Sequence, residues 1–165
     1  MTNKNPTRRV LLIALVAATA GLTGCLSDPK PPAFKVVDVG ITERTEGGVV
    51  VTFTLEGTNP NKDPLPLDSV SYTLALDGRP SASATRQAEA ELPANGVQRV
   101  RLPVAIPVSA SSPEPMGTSG YRLSGSMVYK IPGSIAEVFF DAGLRRPSVG
   151  FGETGTLDFS KASAR

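Results

Sequence analysis

The chain has 165 residues, 40% hydrophobic and 19% charged, which suits one ordinary globular domain and excludes a disordered or fibrous chain. Its formal charge of +2 is local: residues 1–25 hold Lys4, Arg8 and Arg9 and no acid, and taking these three from seventeen bases leaves fourteen against fifteen acids, a net −1 for residues 26–165. A near-neutral body has no basic footprint for nucleic acid, and a chain without histidine lacks the usual proton shuttle, the Ser-His-Asp arrangement and the commonest metal ligand.

Read in chain order, residues 1–24 form a signal segment. The cationic start precedes "VLLIALVAATA", Val10 to Ala20, an apolar run of signal-core size and short of the roughly 20 residues that span a bilayer. Arg8-Arg9 leaves both the general and the twin-arginine export routes open. "LTGC" then places Leu22, Thr23 and Gly24 before Cys25 and resembles the bacterial lipobox. That resemblance implies a diacylglycerol on the Cys25 sulfur, cleavage before Cys25 and an acyl chain such as palmitate on its new amine. Ala18-Thr19-Ala20 is the alternative, an ordinary cleavage site that would leave Cys25 a free thiol. Lipidation is the expectation, because Cys25 is the only cysteine and a lone unpaired thiol is unusual in an exported protein. One acyl chain binds marginally at about 0.8 kcal/mol per buried methylene, so three would hold firmly. Leu26 stands where an inner-membrane retention signal resembles Asp, which leans towards the outer membrane, facing the periplasm, in an envelope with two membranes. Residues 25–33, with "SDPKPPA" at Ser27 to Ala33, are a lipidated cysteine and a stiff proline-rich tether.

Residues 34–160 form the folded domain, and its period is two. "VVVTFTLEG" puts Val49, Val51, Phe53 and Leu55 on one face, and "VSYTLALDG" does the same with Val70, Tyr72, Leu74 and Leu76. "VRLPVAIP" aligns Val100, Leu102, Val104 and Ile106, and "YRLSGSMVY" aligns Tyr121, Leu123, Met127 and Tyr129. Such alternation predicts antiparallel strands with one buried face. Turn residues punctuate them at Gly47, "NPNKDP", Asp77-Gly78, "PANG" and "IPG", and Asp-Gly is a strong hairpin signal. Pro103 and Pro107 demote their strand to an edge or a bulge. "SASSPEPMGTSG", Ser109 to Gly120, reads as a long loop. "SIAEVFF" alone takes helical spacing, with Ser134 as its cap over 134–140. The sum is an all-β, two-sheet antiparallel sandwich of about seven short strands, fibronectin type III- or immunoglobulin-like.

Candidate chemistry is thin. Asp38 with Glu43, or Glu89 with Glu91, are the carboxylate pairs open to acid–base work, but alternating acids on a polar strand face are more often solvated. "GFGETG", Gly150 to Gly155, fits a dinucleotide fingerprint in letters. It lacks the following helix and acid that phosphate binding needs, so its glycines are expected in turns and a bulge before a last strand, "TLDF". "GTNPNKDPLPL" spaces Asn59, Asn61 and Asp63 like the start of a calcium loop, yet Pro64 and Val70 occupy the positions that want Gly and Glu. A corner built on Asx turns is expected instead. No cofactor, metal or catalytic residue is predicted.

"FTLEGTNPN", "LPLDSVSYTLALDGR", "LPANGVQRVRLPVAI" and "YRLSGSMVY" together resemble the WHy domain of group 2 late embryogenesis abundant proteins, with Asn59-Pro60-Asn61 as the signature turn. The resemblance implies a folded, non-enzymatic β-sandwich linked to tolerance of water stress. The resulting expectation is a protective or binding module, lipid-anchored to the cell envelope through Cys25. Polar faces bearing Thr52, Thr54, Arg99 and Arg101 would meet client proteins or lipid headgroups. The rivals are a structural accessory of an envelope complex, which predicts an exposed apolar patch, and a carboxylate-dependent hydrolase.

Overall fold

Among the described residues the period-two pattern folds into seven strands, and one short helix interrupts them. A computed structural model of the chain describes residues 29–108 and 115–160. The elements are β1 (Ala33–Thr45), β2 (Gly48–Thr58), β3 (Leu65–Leu76), β4 (Arg79–Leu92), β5 (Val97–Pro107), β6 (Thr118–Tyr129), α1 (Ser134–Asp141) and β7 (Ser148–Asp158). They form two antiparallel sheets, β1-β2-β5 and β4-β3-β6-β7. The signal segment, Leu22 to Cys25 and most of the loop after Val108 lie outside the described residues.

The inward faces are those the alternation predicts. Val49, Val51, Phe53 and Leu55 of β2 meet Tyr72, Leu74, Tyr121, Leu123 and Met127 of the other sheet, all buried. Phe53 and Tyr121 pack edge to face across the layers, 5.6 Å between ring centres, the geometry aromatic quadrupoles favour. β3 changes parity once: Leu65 and Leu67 point in, then Val70, because Asp68 is an extra residue against β6, where Leu67 pairs with Tyr129 and Ser69 with Val128; β4 carries its own extra residue here, between Ala90 and Gln87. On β4 this bulge is where Glu89 takes φ 44°.

Gly125 marks the closest approach within the second sheet. It pairs with Tyr72 on one side and Phe151 on the other. A Cβ there would lie 2.4 Å from Phe151 Cζ and 2.5 Å from the Ser71 carbonyl oxygen. The Tyr-x-Leu-x-Gly stretch therefore ends in glycine because Phe151 occupies the space.

Proline and turn signals act as expected. β5 is an edge strand, and the Pro103 carbonyl accepts a hydrogen bond from Arg86 of β4. Its missing N–H therefore faces away from β2, where it costs no ladder bond. Asp77 and Gly78 both take positive φ, 47° and 77°, the signature of a type I′ hairpin turn.

Four expectations need correction. The strands are not short, at 11 to 14 residues each, since they run on through Ser/Ala-rich edges without apolar alternation. β6 begins at Thr118, taking in the end of the predicted loop. Gly150, Gly152 and Gly155 lie inside β7, whose register with β6 is unbroken, and Gly155 backs onto the Tyr121 ring. None of them makes a turn, and Gly152 and Gly155 serve close packing. Ser134 makes no cap; Gly133 at φ 122° precedes the helix without a side-chain bond.

Candidate functional site

Three regions of the surface are built by specific contacts, and two of them share one end of the sandwich. The first is the corner between β2 and β3. Asn59 is 1% exposed, so its amide must be satisfied internally. Its Nδ2 donates to the carbonyls of Asp63 at 2.8 Å and Pro93 at 3.1 Å, while its Oδ1 accepts from the Asn61 backbone N–H at 2.9 Å. The last bond is an Asx turn. Asn61 in turn holds the tether: its Nδ2 donates to the Lys30 carbonyl and its Oδ1 accepts from the Lys30 N–H, both at 2.8 Å. Backbone bonds from Asn59 to Gly96 and from Asn95 to Asn61 fasten the β4–β5 turn to the same corner. The Asn59 and Asn61 side-chain oxygens are committed to backbone N–H groups, and no group of three or more His, Cys, Asp or Glu placed to hold a metal occurs among the described residues.

The second region is the outer face of the three-stranded sheet. Glu56 stands between Lys35 on β1 and Arg99 on β5, its cross-strand neighbours. Lys35 Nζ lies 2.8 Å from Oε1 and Arg99 Nε 3.4 Å from Oε2. The Lys35 hydrogen bond holds the Glu56 carboxyl below its ordinary value, and Arg99 adds to this against partial burial. Beside this ladder lies a half-open depression of about 510 Å³ lined by Val37, Asp38, Thr54, Arg99 and Arg101. Thr54 faces Arg101 across the strands, over a shift in β1 between Val36 and Asp38. Thr52, on the same outer face, shares a hydrogen bond with Thr42 at 2.9 Å.

The first proposed carboxylate pair is not brought together. Asp38 and Glu43 stand opposite Thr54 and Val50, four residues apart on β2, about 13 Å along a strand. Glu89 and Glu91 are both exposed at the edge of β4.

The third region, α1 and the segment after it, was not foreseen as a surface. Tyr129 ends β6 opposite Leu67, and the Lys130 N–H bonds to the Pro66 carbonyl, so α1 starts beside the Asn59–Asp63 corner. Phe140 alone is buried, with Lys130 Nζ 4.8 Å and the Arg146 guanidinium 5.0 Å from its ring centre. Ile135, Val138 and Phe139 fall at i, i+3 and i+4, yet they point outward at 72%, 65% and 44% exposure, followed by Leu144 at 75%. The spacing was visible in sequence; that the stripe faces solvent was not, since periodicity alone does not say which side of a helix is covered.

The three-plus-four sheets define the chain as an immunoglobulin-like β-sandwich. It belongs to the family described as late embryogenesis abundant protein (LEA_2), whose family model matches residues 54–146, more than half of the chain. Among solved structures it is similar to a solution structure of a protein described as late embryogenesis abundant, with TM-score 0.63 and 20% identity over 93% of this chain and 85% of that one. A protein from Arabidopsis thaliana gives 0.58 and 18% over 79% and 83%. A crystal structure of a protein from Archaeoglobus fulgidus gives 0.50 and 8% over 79% and 96%. At such identities these structures carry the fold alone. No curated protein matches the chain.

Proposed function

We propose that the protein is a non-enzymatic, lipid-anchored module of the cell envelope that acts in tolerance of water stress, with the WHy domain as its folded part. The observation that carries this reading is membership of the late embryogenesis abundant family over residues 54–146. The anchor rests on Leu22-Thr23-Gly24-Cys25 ahead of the folded part, and the outer membrane facing the periplasm is the proposed place. The domain meets client proteins or lipid surfaces by broad contact, with no cofactor and no chemical step.

A drying assay tests it. A fragile enzyme, or liposomes, is dried and rehydrated with residues 27–165 or with an equal mass of an unrelated β-sandwich. Recovery clearly above the control supports the stress module, and equal recovery removes it. A second reading, an accessory docked on an envelope complex, is favoured by one observation, the outward apolar stripe of α1.

A further inference from the structure

A helix on a soluble sandwich ordinarily turns its apolar stripe to the core. Here Phe140 faces inward and the stripe of Ile135, Val138 and Phe139 faces out, with Leu144 beside it. Singly exposed apolar residues need no explanation, but a contiguous group of four marks a contact surface. Its position in the fold indicates what covers it.

Strands of about 12 residues separate the two ends of this sandwich by roughly 40 Å. The tether enters at one end, where Lys30 is clasped by Asn61, and α1 emerges at that same end, through the Lys130–Pro66 and Tyr129–Pro147 backbone bonds. β7, which follows α1, also lies against β1, which follows the tether. Cys25 is five positions before Lys30, so even full extension spans at most about 17 Å. Any membrane that holds Cys25 therefore lies against the end that carries α1. The charge around the stripe fits an anionic surface. Lys130, Arg145 and Arg146 border α1 in the chain, against Glu137 and Asp141; Lys130 and Arg146 lie over the Phe140 ring, and Asp141 is bridged to Lys130 at 3.6 Å. Apolar residues beside Lys and Arg are the pattern of helices that lie in the headgroup boundary.

We propose that the outward face of α1 is a second membrane contact, with Ile135, Val138, Phe139 and Leu144 entering the acyl boundary of an anionic phospholipid leaflet and Lys130, Arg145 and Arg146 at its headgroups. The proposal rests on the lipid-anchor reading of Cys25. It makes the anchored domain stand upright on the leaflet, tether end down, and presents the depression over Thr54 and Arg101 sideways.

The test uses the full lipidated chain on vesicles of phosphatidylglycerol and phosphatidylcholine with brominated acyl chains. The sequence contains no Trp, so Phe139→Trp provides a lone emitter, and Met116→Trp, 86% exposed beside the start of β6 at the far end, is its control. Phe139→Trp is expected to shift to the blue and lose most of its emission, while Met116→Trp keeps its own. Adding Val138→Asp to Phe139→Trp is expected to restore emission with the protein still floating with the vesicles. Floating protein with unquenched Phe139→Trp overturns the proposal and gives the face to a protein partner or a second copy, the latter visible by sedimentation. Equal quenching of both emitters overturns it too. Mass spectrometry of Cys25 separates the two failures. An unmodified thiol ends the anchor reading, and the proposal with it, whereas lipidated Cys25 with unquenched emission ends the docking face alone.

Discussion

Asn61 and the backbone of Lys30 exchange two hydrogen bonds, each 2.8 Å, so that the tether is bound to the corner before β1 begins. Asn61→Ala removes both bonds at a partly exposed site, at a net cost of about 1 kcal/mol. The global unfolding midpoint is expected to move little, while protease cleavage between Pro29 and Phe34 quickens. Unchanged cleavage would mean that Pro31 and buried Pro32 hold the tether without the clasp.

Asn59→Ala acts on the same corner with a larger effect. It removes the buried amide that serves the part-buried carbonyls of Asp63 and Pro93, a loss of about 1–3 kcal/mol. Urea unfolding of the two variants side by side is expected to rank Asn59→Ala well below Asn61→Ala.

Gly125→Ala is expected to destabilise by about 1–3 kcal/mol through overpacking, since the added carbon meets both the Phe151 ring and the Ser71 carbonyl. Combining it with Phe151→Leu relieves the ring clash but not the backbone one. The double variant should therefore fall short of the sum of the two single losses, and strict additivity in a thermal melt would show that Phe151 is not the obstacle.

Acid and alkali act on different groups. Lys35 and then Arg99 lower the Glu56 carboxyl from 4.5, so its stabilising share is present above 4.5 and is lost as pH falls through the lowered value. Burial raises the Tyr121 and Tyr129 phenols above 10.0, helped at Tyr121 by Glu153 and opposed at Tyr129 by Arg145. Their share is present below 10.0 and is lost as pH rises through the raised values. Glu56→Gln is expected to flatten the acid limb of a plot of urea midpoint against pH and leave the alkaline limb in place.

Phe53→Ala tests the join between the sheets. Phe53 is fully buried and edge-on to Tyr121, and its loss is expected to cost about 3–5 kcal/mol. A much smaller shift in urea midpoint would mean that the layers close over the gap.

The strands were legible because one face of each is buried: Val49, Val51, Phe53 and Leu55 announce β2, and Asp77-Gly78 the β3–β4 hairpin. β4 was hidden because Ser81, Ala82, Ser83 and Ala84 at a sheet edge carry little apolar contrast. The length of β7 was hidden because its glycines read as breakers, when Gly155 is small because the Tyr121 ring lies against it. The corner at Asn59 could be read as a turn, but its grip on Lys30 joins residues 31 positions apart, which no local pattern encodes. The orientation of α1 escaped too: a stripe at i, i+3 and i+4 looks alike whether it faces a core or solvent.

The two sheets leave four edge strands, and these are drawn up in pairs, β1 against β7 and β4 against β5. An arginine reaches across each pair, Arg44 to the Phe159 carbonyl and Arg86 to that of Pro103. An open sheet edge is a template on which another chain's strand can grow, and the hazard rises as solvent is withdrawn and molecules crowd together. With each edge turned towards another and an arginine bonded across each meeting line, the domain offers neighbouring chains a less open edge on which to nucleate aggregation.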